Sequence, residues 1–516
     1  MLIAALTLSF AAHAACPTGA EPQGDWSDRV ADTRASAEAA AALSALESYA
    51  FPEVMDEEGR TGIRTDGLVI VRNGAVLYER YGRDWTAEMP HLLWSATKAV
   101  AGTTVGMAVK TGELDIDASI CDSIDVGNPE SCKVTTRHLM EHATGWAWRE
   151  TYEGQSPTAS SVVGMLYGGG KDDMAHFVTS HALRDLPGTS YSYSSGNTVV
   201  QSAVAHAVLT KTHGDDYLDE LLFGPLGITS ANFERDGSGV PVGSSTLYLN
   251  PRDMARYGVF LLQDGCWDGE RLVPEGWMAR SVTPAAVLDG KLVDPPSGPN
   301  PGWNLWLNTP HPATNDGGLA WPDAPAGSFA ALGHWRQSIY VLPHHGVVVA
   351  RTGDDRDGSF QHNDFLARVT ALVEALPMAM AGPAEEKADE GPDDPVSEDD
   401  AELVVAVLPP APGTFTEAAF PPPKMGPVAD SSTQPPDKYD VGLLSIGTSF
   451  AAMHGCACRY IAGRSEDACR AYIKIQPDIA KARFDDETQT VTAKALGMAK
   501  TRARPAGDGK GCALVP

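Results

Sequence analysis

The segment Leu92-Leu93-Trp94-Ser95-Ala96-Thr97-Lys98-Ala99-Val100-Ala101-Gly102 decides how the chain is read. Residues three apart share a helix face, so a helix starting near the serine brings Lys98 Nζ within reach of Ser95 Oγ. A serine hydroxyl is a weak nucleophile until a neighbour takes its proton, and a lysine does so only where burial lowers its pKa toward neutrality. The residues that follow supply that burial. From Ala99 to Val109 the chain carries Ala, Val, Gly, Thr and Met and no charge, the pattern of a helix enclosed on all sides. The spacing S-x-x-K also recurs by chance, so the reading depends on partners elsewhere in the chain.

The partners come in order. Pro187-Gly188-Thr189-Ser190-Tyr191-Ser192-Tyr193-Ser194-Ser195-Gly196-Asn197 reads as a turn, a short extended piece and the start of a helix running through Val199 to Leu209. Tyr193 is thereby left on a loop between rigid elements, where a phenol can face a reaction centre. Ser328 to Pro343 then alternates as a strand does, and after His344-His345-Gly346 the apolar run Val347 to Ala350 completes a hairpin. A strand of this kind beside the serine offers a backbone N–H that pairs with the serine's own to form an oxyanion hole.

With these motifs in place the chain resembles the serine hydrolases of the class C β-lactamase, D-alanyl-D-alanine peptidase and esterase superfamily, most closely the 6-aminohexanoate-dimer hydrolase branch. The resemblance runs from about residue 60 to residue 375. It includes the opening hairpin Gly74 to Tyr81, the segment Leu139 to Gly145 with Trp146-Ala147-Trp148, and the helix Pro251-Arg252-Asp253-Met254-Ala255-Arg256-Tyr257-Gly258. It implies an α/β fold of the β-lactamase/transpeptidase type, an antiparallel sheet flanked by helices with a helical subdomain. It also implies Ser95 as the acyl-forming nucleophile, Lys98 as the proton acceptor beside it and Tyr193 as the general acid or base facing the leaving group. Which of Lys98 and Tyr193 deprotonates the serine stays open.

The chain departs from the family pattern twice. The usual Tyr-x-Asn reads Tyr193-Ser194-Ser195, so Ser195, or Asn197 two residues on, is expected to meet the substrate. The usual Lys-Thr-Gly or His-Thr-Gly reads Ala331-Leu332-Gly333, followed by His334 and Trp335. Gly333 and His334 are expected at the oxyanion hole, with His334 replacing the missing charge or lending only its N–H, and Trp335 is expected against the substrate. Lys110-Thr111-Gly112 spells the third motif literally, but it falls at the end of the helix that begins at Ser95, where Gly terminates and Lys complements the dipole.

Other chemistries are excluded by what the sequence lacks. No serine lies in Gly-x-Ser-x-Gly, and there is no His-Glu-x-x-His, Cys-x-x-Cys, Walker loop or EF-hand loop, so no metal or cofactor is expected. Of the 14 histidines, His138, His142 and His206 read as core or surface residues. A net charge of −28 argues against nucleic acid or an anionic membrane as a target. No run approaches the roughly 20 apolar residues of a membrane span. A small ester or amide is the expected substrate. A β-lactamase or D-alanyl-D-alanine carboxypeptidase is the runner-up, and a covalent binder or sensor that acylates without turnover is the alternative from a different class.

The organisation reads as four parts. Residues 1–14, apolar with a terminal Ala-His-Ala, resemble an export signal to the periplasm or beyond. Residues 15–376 form the hydrolase, 377–438 a disordered acidic, proline-rich linker, and 439–516 a small cysteine-bearing module whose role is not legible. The 8 cysteines fit an oxidising compartment. Cys121 and Cys132 are expected to pair, and Cys456, Cys458, Cys469 and Cys512 to pair among themselves, while Cys16 and Cys266 have no evident partner. On this reading the hydrolase and the module are separable. Trp94, Trp146, Trp148, Trp303, Trp306, Trp321 and Trp335 line either an apolar cleft or the core.

Overall fold

Strand β1 (Thr65–Arg72) is buried at every position because its alternate side chains enter two different cores. Leu68 and Ile70 join one, Val69 and Val71 the other. Asn73 and Gly74, at φ 48° and 75°, turn the chain into β2 (Ala75–Tyr81). Five further strands complete the sheet: β3 (Asn300–Pro301), β4 (Trp306–Leu307), β5 (Phe329–Gly333), β6 (Gln337–Leu342) and β7 (Val347–Gly353). The order is β3-β4-β5-β6-β7-β1-β2, antiparallel throughout.

The structure, a computed structural model, describes Cys16, residues 36–53, 56, 59–152, 156–293 and 298–376, Phe420, and residues 433–475 and 478–515. The expected export signal and most of the expected linker lie outside the described residues. Phe420 and residues 433–438 are the described parts of the expected linker, and the Phe420 ring stands edge-on to Trp277 at 5.2 Å.

Helices α1 (Ala37–Ala50), α2 (Thr97–Lys110), α3 (Ser195–His213), α4 (Pro251–Leu262) and α5 (His362–Ala375) surround the sheet. Leu43 and Leu46 of α1 and Phe365, Val369 and Leu372 of α5 cover the Leu68/Ile70 face. Helices α2 and α4 cover the other with Val100, Val105, Met254 and Phe260. As its composition predicts, α2 is buried on every face from Thr97 to Ala108. Small residues allow this, since a Cβ on Gly106 would stand 2.7 Å from Trp277 Cε2. The helical subdomain gathers α3 and the short helices Ser161–Tyr167 and Met174–Thr179 around Trp146 and Trp148. The expected sheet flanked by helices is therefore the observed architecture.

The C-terminal module comprises α6 (Leu443–Cys456), α7 (Glu466–Tyr472) and a second antiparallel sheet, β8 (Ala480–Asp485), β9 (Thr490–Ala495), β10 (Ala499–Pro505) and β11 (Cys512–Val515). It does not hang free as a separable unit would. Its Phe450, Ala451 and Cys456 share one apolar cluster with Leu92, Trp94, Tyr248 and Trp335 of the hydrolase. Polar contacts add to this: Tyr439 hydrogen-bonds His181 Nε2 at 2.8 Å, Phe233 N donates to Gly509 O at 2.7 Å, and Lys510 pairs with Asp215.

Disulfides Cys121–Cys132, Cys456–Cys512 and Cys458–Cys469 follow the expected grouping. Cys16 and Cys266 correct it, for they bond to each other across 250 residues. Their separation exceeds any local spacing rule, which is why neither showed a partner in the sequence. Non-reducing peptide mapping should recover Cys16–Cys266, and the double variant Cys16→Ser/Cys266→Ser should lose about 2 to 5 kcal/mol of stability. A map joining Cys266 to a cysteine beyond residue 450 would contradict the fold described.

Candidate active site

Ser95 is presented by a tight turn. Trp94, at φ 48°, opens a 3₁₀ turn, Trp94–Ala96, that runs straight into α2. Ser95 lies in this turn and Lys98 one turn further, the i to i+3 arrangement the spacing predicts. Lys98 Nζ is 3.0 Å from Ser95 Oγ, 3.0 Å from Ser195 Oγ and 2.9 Å from the carbonyl oxygen of Ser244. The side chain is 3% exposed. Burial pushes the amine down to about 8, against the opposing pull of the Glu150 carboxylate.

Tyr193 completes the set. Ser194 caps α3 by accepting from Asn197 N, which places Tyr193 immediately before the helix and on the cavity it shares with Ser95 and Lys98, its ring 5.2 Å from Lys98 Nζ. Burial, and then the charge of Glu150, push this phenol well above its ordinary value. Its ring stacks on Trp306 at 5.6 Å and lies 4.9 Å from the His142 ring. His142, read from sequence as a core or surface residue, is buried, receives Ser194 N on Nδ1 at 3.3 Å and is pushed down to about 3 by burial and by Lys98. It is a neutral ring that sets the tyrosine's position. His142 thus borders the cavity with Ser95, Lys98 and Tyr193, whereas the other two histidines lie outside the site: His138 completes the capping box of the helix Thr136–Met140, and His206 lies on α3.

Glu150 and Tyr152 belong to the site and went unnoticed in the sequence. Ser195 Oγ donates to Glu150 Oε1 at 2.5 Å, Ser195 N donates to Oε2 at 3.1 Å, and Trp148 Nε1 donates to Oε2 at 2.6 Å. The Tyr152 hydroxyl donates to Oε1. An uninterrupted hydrogen-bonded chain therefore runs from Ser95 through Lys98 and Ser195 to Glu150. The available signal was a carboxylate and a phenol, Glu150-Thr151-Tyr152, directly after the apolar Trp146-Ala147-Trp148.

The expected substrate contacts need correction. Ser195 lies between Lys98 and Glu150 and serves the amine. Asn197 is 1% exposed, accepts from Thr144 Oγ1 at 3.1 Å and does not border the cavity over Ser95. Trp335 is 7% exposed, with the Arg356 guanidinium 3.6 Å above its ring. Trp94, Trp146, Trp148, Trp303 and Trp321 are also buried. Of the seven tryptophans considered, Trp306 borders the cavity, together with Pro301, Gly302, Asn304 and Leu305.

The end of β5 meets the nucleophile turn as expected. A Cβ on Gly333 would stand 2.1 Å from Leu93 O and 3.2 Å from Ala96 N, so a side chain there would force the two backbones apart. His334 follows at the corner, its ring 5.6 Å from Trp94 and 5.3 Å from Tyr152. Ala331 pairs with Ile339 inside the sheet and brings no cation. Among the described residues bordering the cavity, Lys98 is the one lysine or arginine, and no cluster of described residues has the donor set of a metal site.

The chain is similar to several known proteins. The 6-aminohexanoate-dimer hydrolase of Paenarthrobacter ureafaciens is 25% identical over 222 residues, which cover 42% of this chain and 56% of that one. Among solved structures, a penicillin-binding protein homologue from Caulobacter crescentus is similar with a TM-score of 0.47 and 16% identity, covering 66% of this chain and 98% of that one. A family VIII carboxylesterase is similar with a TM-score of 0.47 and 15% identity, over 66% and 98%. The beta-lactamase family model matches residues 48–371, the stretch that holds the sheet, the helical subdomain and all of Ser95, Lys98 and Tyr193, and the chain belongs to that family.

Proposed function

We propose that the protein is a serine hydrolase that cleaves small esters and amides through an acyl-enzyme on Ser95. The observation that carries this reading is the buried amine of Lys98 at 3.0 Å from Ser95 Oγ, with the Tyr193 ring 5.2 Å from the same amine on the same cavity. Lys98 and Tyr193 differ in how firmly they hold a proton. The amine releases its proton at about 8, whereas the phenol is pushed upward, so Lys98 is the base of acylation and Tyr193 the donor to the leaving group.

In acylation Ser95 Oγ bonds to the substrate carbonyl carbon while its proton passes to neutral Lys98. The oxygen charge that develops is met by the backbone N–H groups of Ser95 and His334, at the junction of the nucleophile turn and β5. The C–O or C–N bond then breaks, Tyr193 supplies the leaving group's proton, and Lys98 restores the proton of Tyr193. Water attacks the acyl-enzyme by the same route in reverse and frees Ser95. Ser195 and Glu150 stabilise the ammonium while it exists, since Nζ donates to Ser195 and Ser195 donates to the carboxylate.

Ester and linear-amide substrates are preferred over β-lactams because position 331 is alanine and the Tyr-x-Asn amide is replaced by Ser195, which is engaged elsewhere. The Paenarthrobacter relative is named as a hydrolase of the 6-aminohexanoate dimer. Pairing of all eight cysteines in four disulfides supports export to the periplasm or beyond.

Three measurements test the reading. Ser95→Ala should abolish hydrolysis and fluorophosphonate labelling with the fold intact, and Lys98→Met and Tyr193→Phe should each lower kcat by about two to four powers of ten. Labelling at another serine, or near-normal kcat in either variant, would remove the assignment. The kcat/KM for a short ester should rise with pH through an apparent pKa near the Lys98 value of about 8, because the neutral amine is the active form. Glu150→Gln removes the charge that raises the Lys98 pKa, so this limb should move to lower pH even as the maximal rate falls; an unmoved limb would detach Glu150 from Lys98. A short ester should be turned over repeatedly and with much higher kcat/KM than a chromogenic cephalosporin. A burst without turnover would instead favour a covalent sensor, and faster cephalosporin cleavage a β-lactamase.

A further inference from the structure

Two tryptophans stand next to the groups that build the oxyanion site, and both are held in conformations a bulky side chain rarely adopts. Trp94, directly before Ser95, has φ 48°, and Trp335, directly after His334, has φ 52°, with Arg336 beside it at 68°. Left-handed backbone at a large residue persists only where the surroundings over-determine it. The two indoles pack edge to face at 5.4 Å, so each strained turn braces the other across the junction of the nucleophile turn and β5.

What over-determines them comes largely from the C-terminal module. His454 of α6 is 2% exposed and lies 5.1 Å from the Trp94 ring and 4.3 Å from Phe450. Its orientation is fixed by a 2.9 Å hydrogen bond between Nε2 and the hydroxyl of Tyr167, in the helical subdomain. On the other side Tyr472, at the end of α7, meets Trp335 edge-on at 6.0 Å. The Arg356 guanidinium covers the Trp335 ring at 3.6 Å while donating to the carbonyls of Tyr472 and Lys474, and Arg60 donates to the same two carbonyls. These are the free carbonyls at the C-terminal end of α7, where cations bind favourably. Trp94 and Trp335 thus sit in one apolar cluster with Phe450, Ala451 and Cys456.

We propose that the C-terminal module is a clamp for the oxyanion corner: by wedging Phe450 and His454 under Trp94, and by anchoring Arg356 over Trp335, it holds the Ser95 and His334 amides in the register that acyl transfer requires. The inference rests on the acyl-enzyme reading above. Phe450 and His454 are positioning residues, acting through the tryptophans. Since a misplacement of about 1 Å in a reacting geometry costs on the order of a hundredfold, loss of the wedge reaches the rate before it reaches the fold.

The test uses the full chain with its disulfides. His454→Ala and Phe450→Ala should each lower kcat for a short ester by about ten- to a hundredfold, with KM changed by less than about threefold and fluorophosphonate labelling of Ser95 slowed in parallel. His454→Phe keeps a ring against Trp94 and loses the bond to Tyr167, so it should recover most of the rate. Leu372→Ala, in the separate core where α5 covers the Leu68/Ile70 face, should lower Tm while sparing kcat, which separates stability from positioning. Amide hydrogen exchange read over residues 92–97 and 333–337 should accelerate in His454→Ala and not in Leu372→Ala. Unchanged exchange at both segments, or kcat within twofold of wild type in both alanine variants, would overturn the clamp. If the wild-type chain neither hydrolyses esters nor labels at Ser95, the catalytic reading fails, and the exchange measurement still decides whether the module holds the corner.

Discussion

The site depends on one amine kept almost out of water. Lys98 is enclosed by α2, α3 and the Ser244 backbone, and holding it charged there costs on the order of 3 kcal/mol relative to water. Three acceptors meet Nζ, enough for the ammonium's three N–H bonds. When the amine is neutral, two of these remain acceptors and the third contact, Ser95, becomes the donor. The same cage therefore suits both protonation states, and the proton can move without any side chain moving. Glu150 shifts the balance toward the ammonium and reaches it through Ser195, so the carboxylate acts on the amine without competing for Ser95.

That cage constrains the rest of the fold. For Lys98 to be buried, α2 must be enclosed on every side, hence the Ala, Gly and Thr residues along it and the close approach of Trp277 to Gly106. For Ser95 to remain accessible at the start of the same helix, the chain has to enter it through a strained turn. The strain at Trp94 and at Trp335 is local, but what opposes it is distant in sequence. Arg356 follows β7, His454 lies in α6 and Tyr472 ends α7. A C-terminal module that adds no described group to the cavity can thus still bear on its geometry.

How much of this was legible follows from the range of each interaction. Ser95 and Lys98 are three residues apart on one helix, and the apolar run after them announces burial, so the pair and its helix could be read directly. The hairpins and the end of β5 beside the serine were accessible through alternation and turn residues, and Tyr193 through its place before a capped helix. Ser195 was noticed for the wrong reason: its motif position suggests a substrate contact, whereas the carboxylate that captures it, Glu150, is 45 residues away. The same limit hid Cys16–Cys266, which spans 250 residues, and the docking of the module, whose contacts join residues near 94 and 335 to residues near 454 and 472. Composition distinguishes an apolar surface from a polar one, but it does not say which apolar surface will cover which. That is also why tryptophans beside the motifs looked like a cleft when all but Trp306 of those considered are core.

Electrostatics narrows the substrate from two independent directions. A chain of net charge −28 repels approaching anions over a Debye length of about 8 to 10 Å. Inside the cavity the amine of Lys98 is already shared among Ser95, Ser195 and the Ser244 carbonyl and is countered by Glu150, while the third motif, where a cation would receive a carboxylate, has Ala331 within the sheet. An anionic substrate would be neither steered to the cavity nor paired on arrival, and its carboxylate would be desolvated without compensation. A neutral ester meets neither cost, and an amide bearing a free ammonium is drawn toward the acidic surface. The surface charge and the altered third motif lie in different parts of the molecule, yet both weigh against the carboxylate that β-lactams carry, and both thereby support the proposal of a small ester or amide as the substrate.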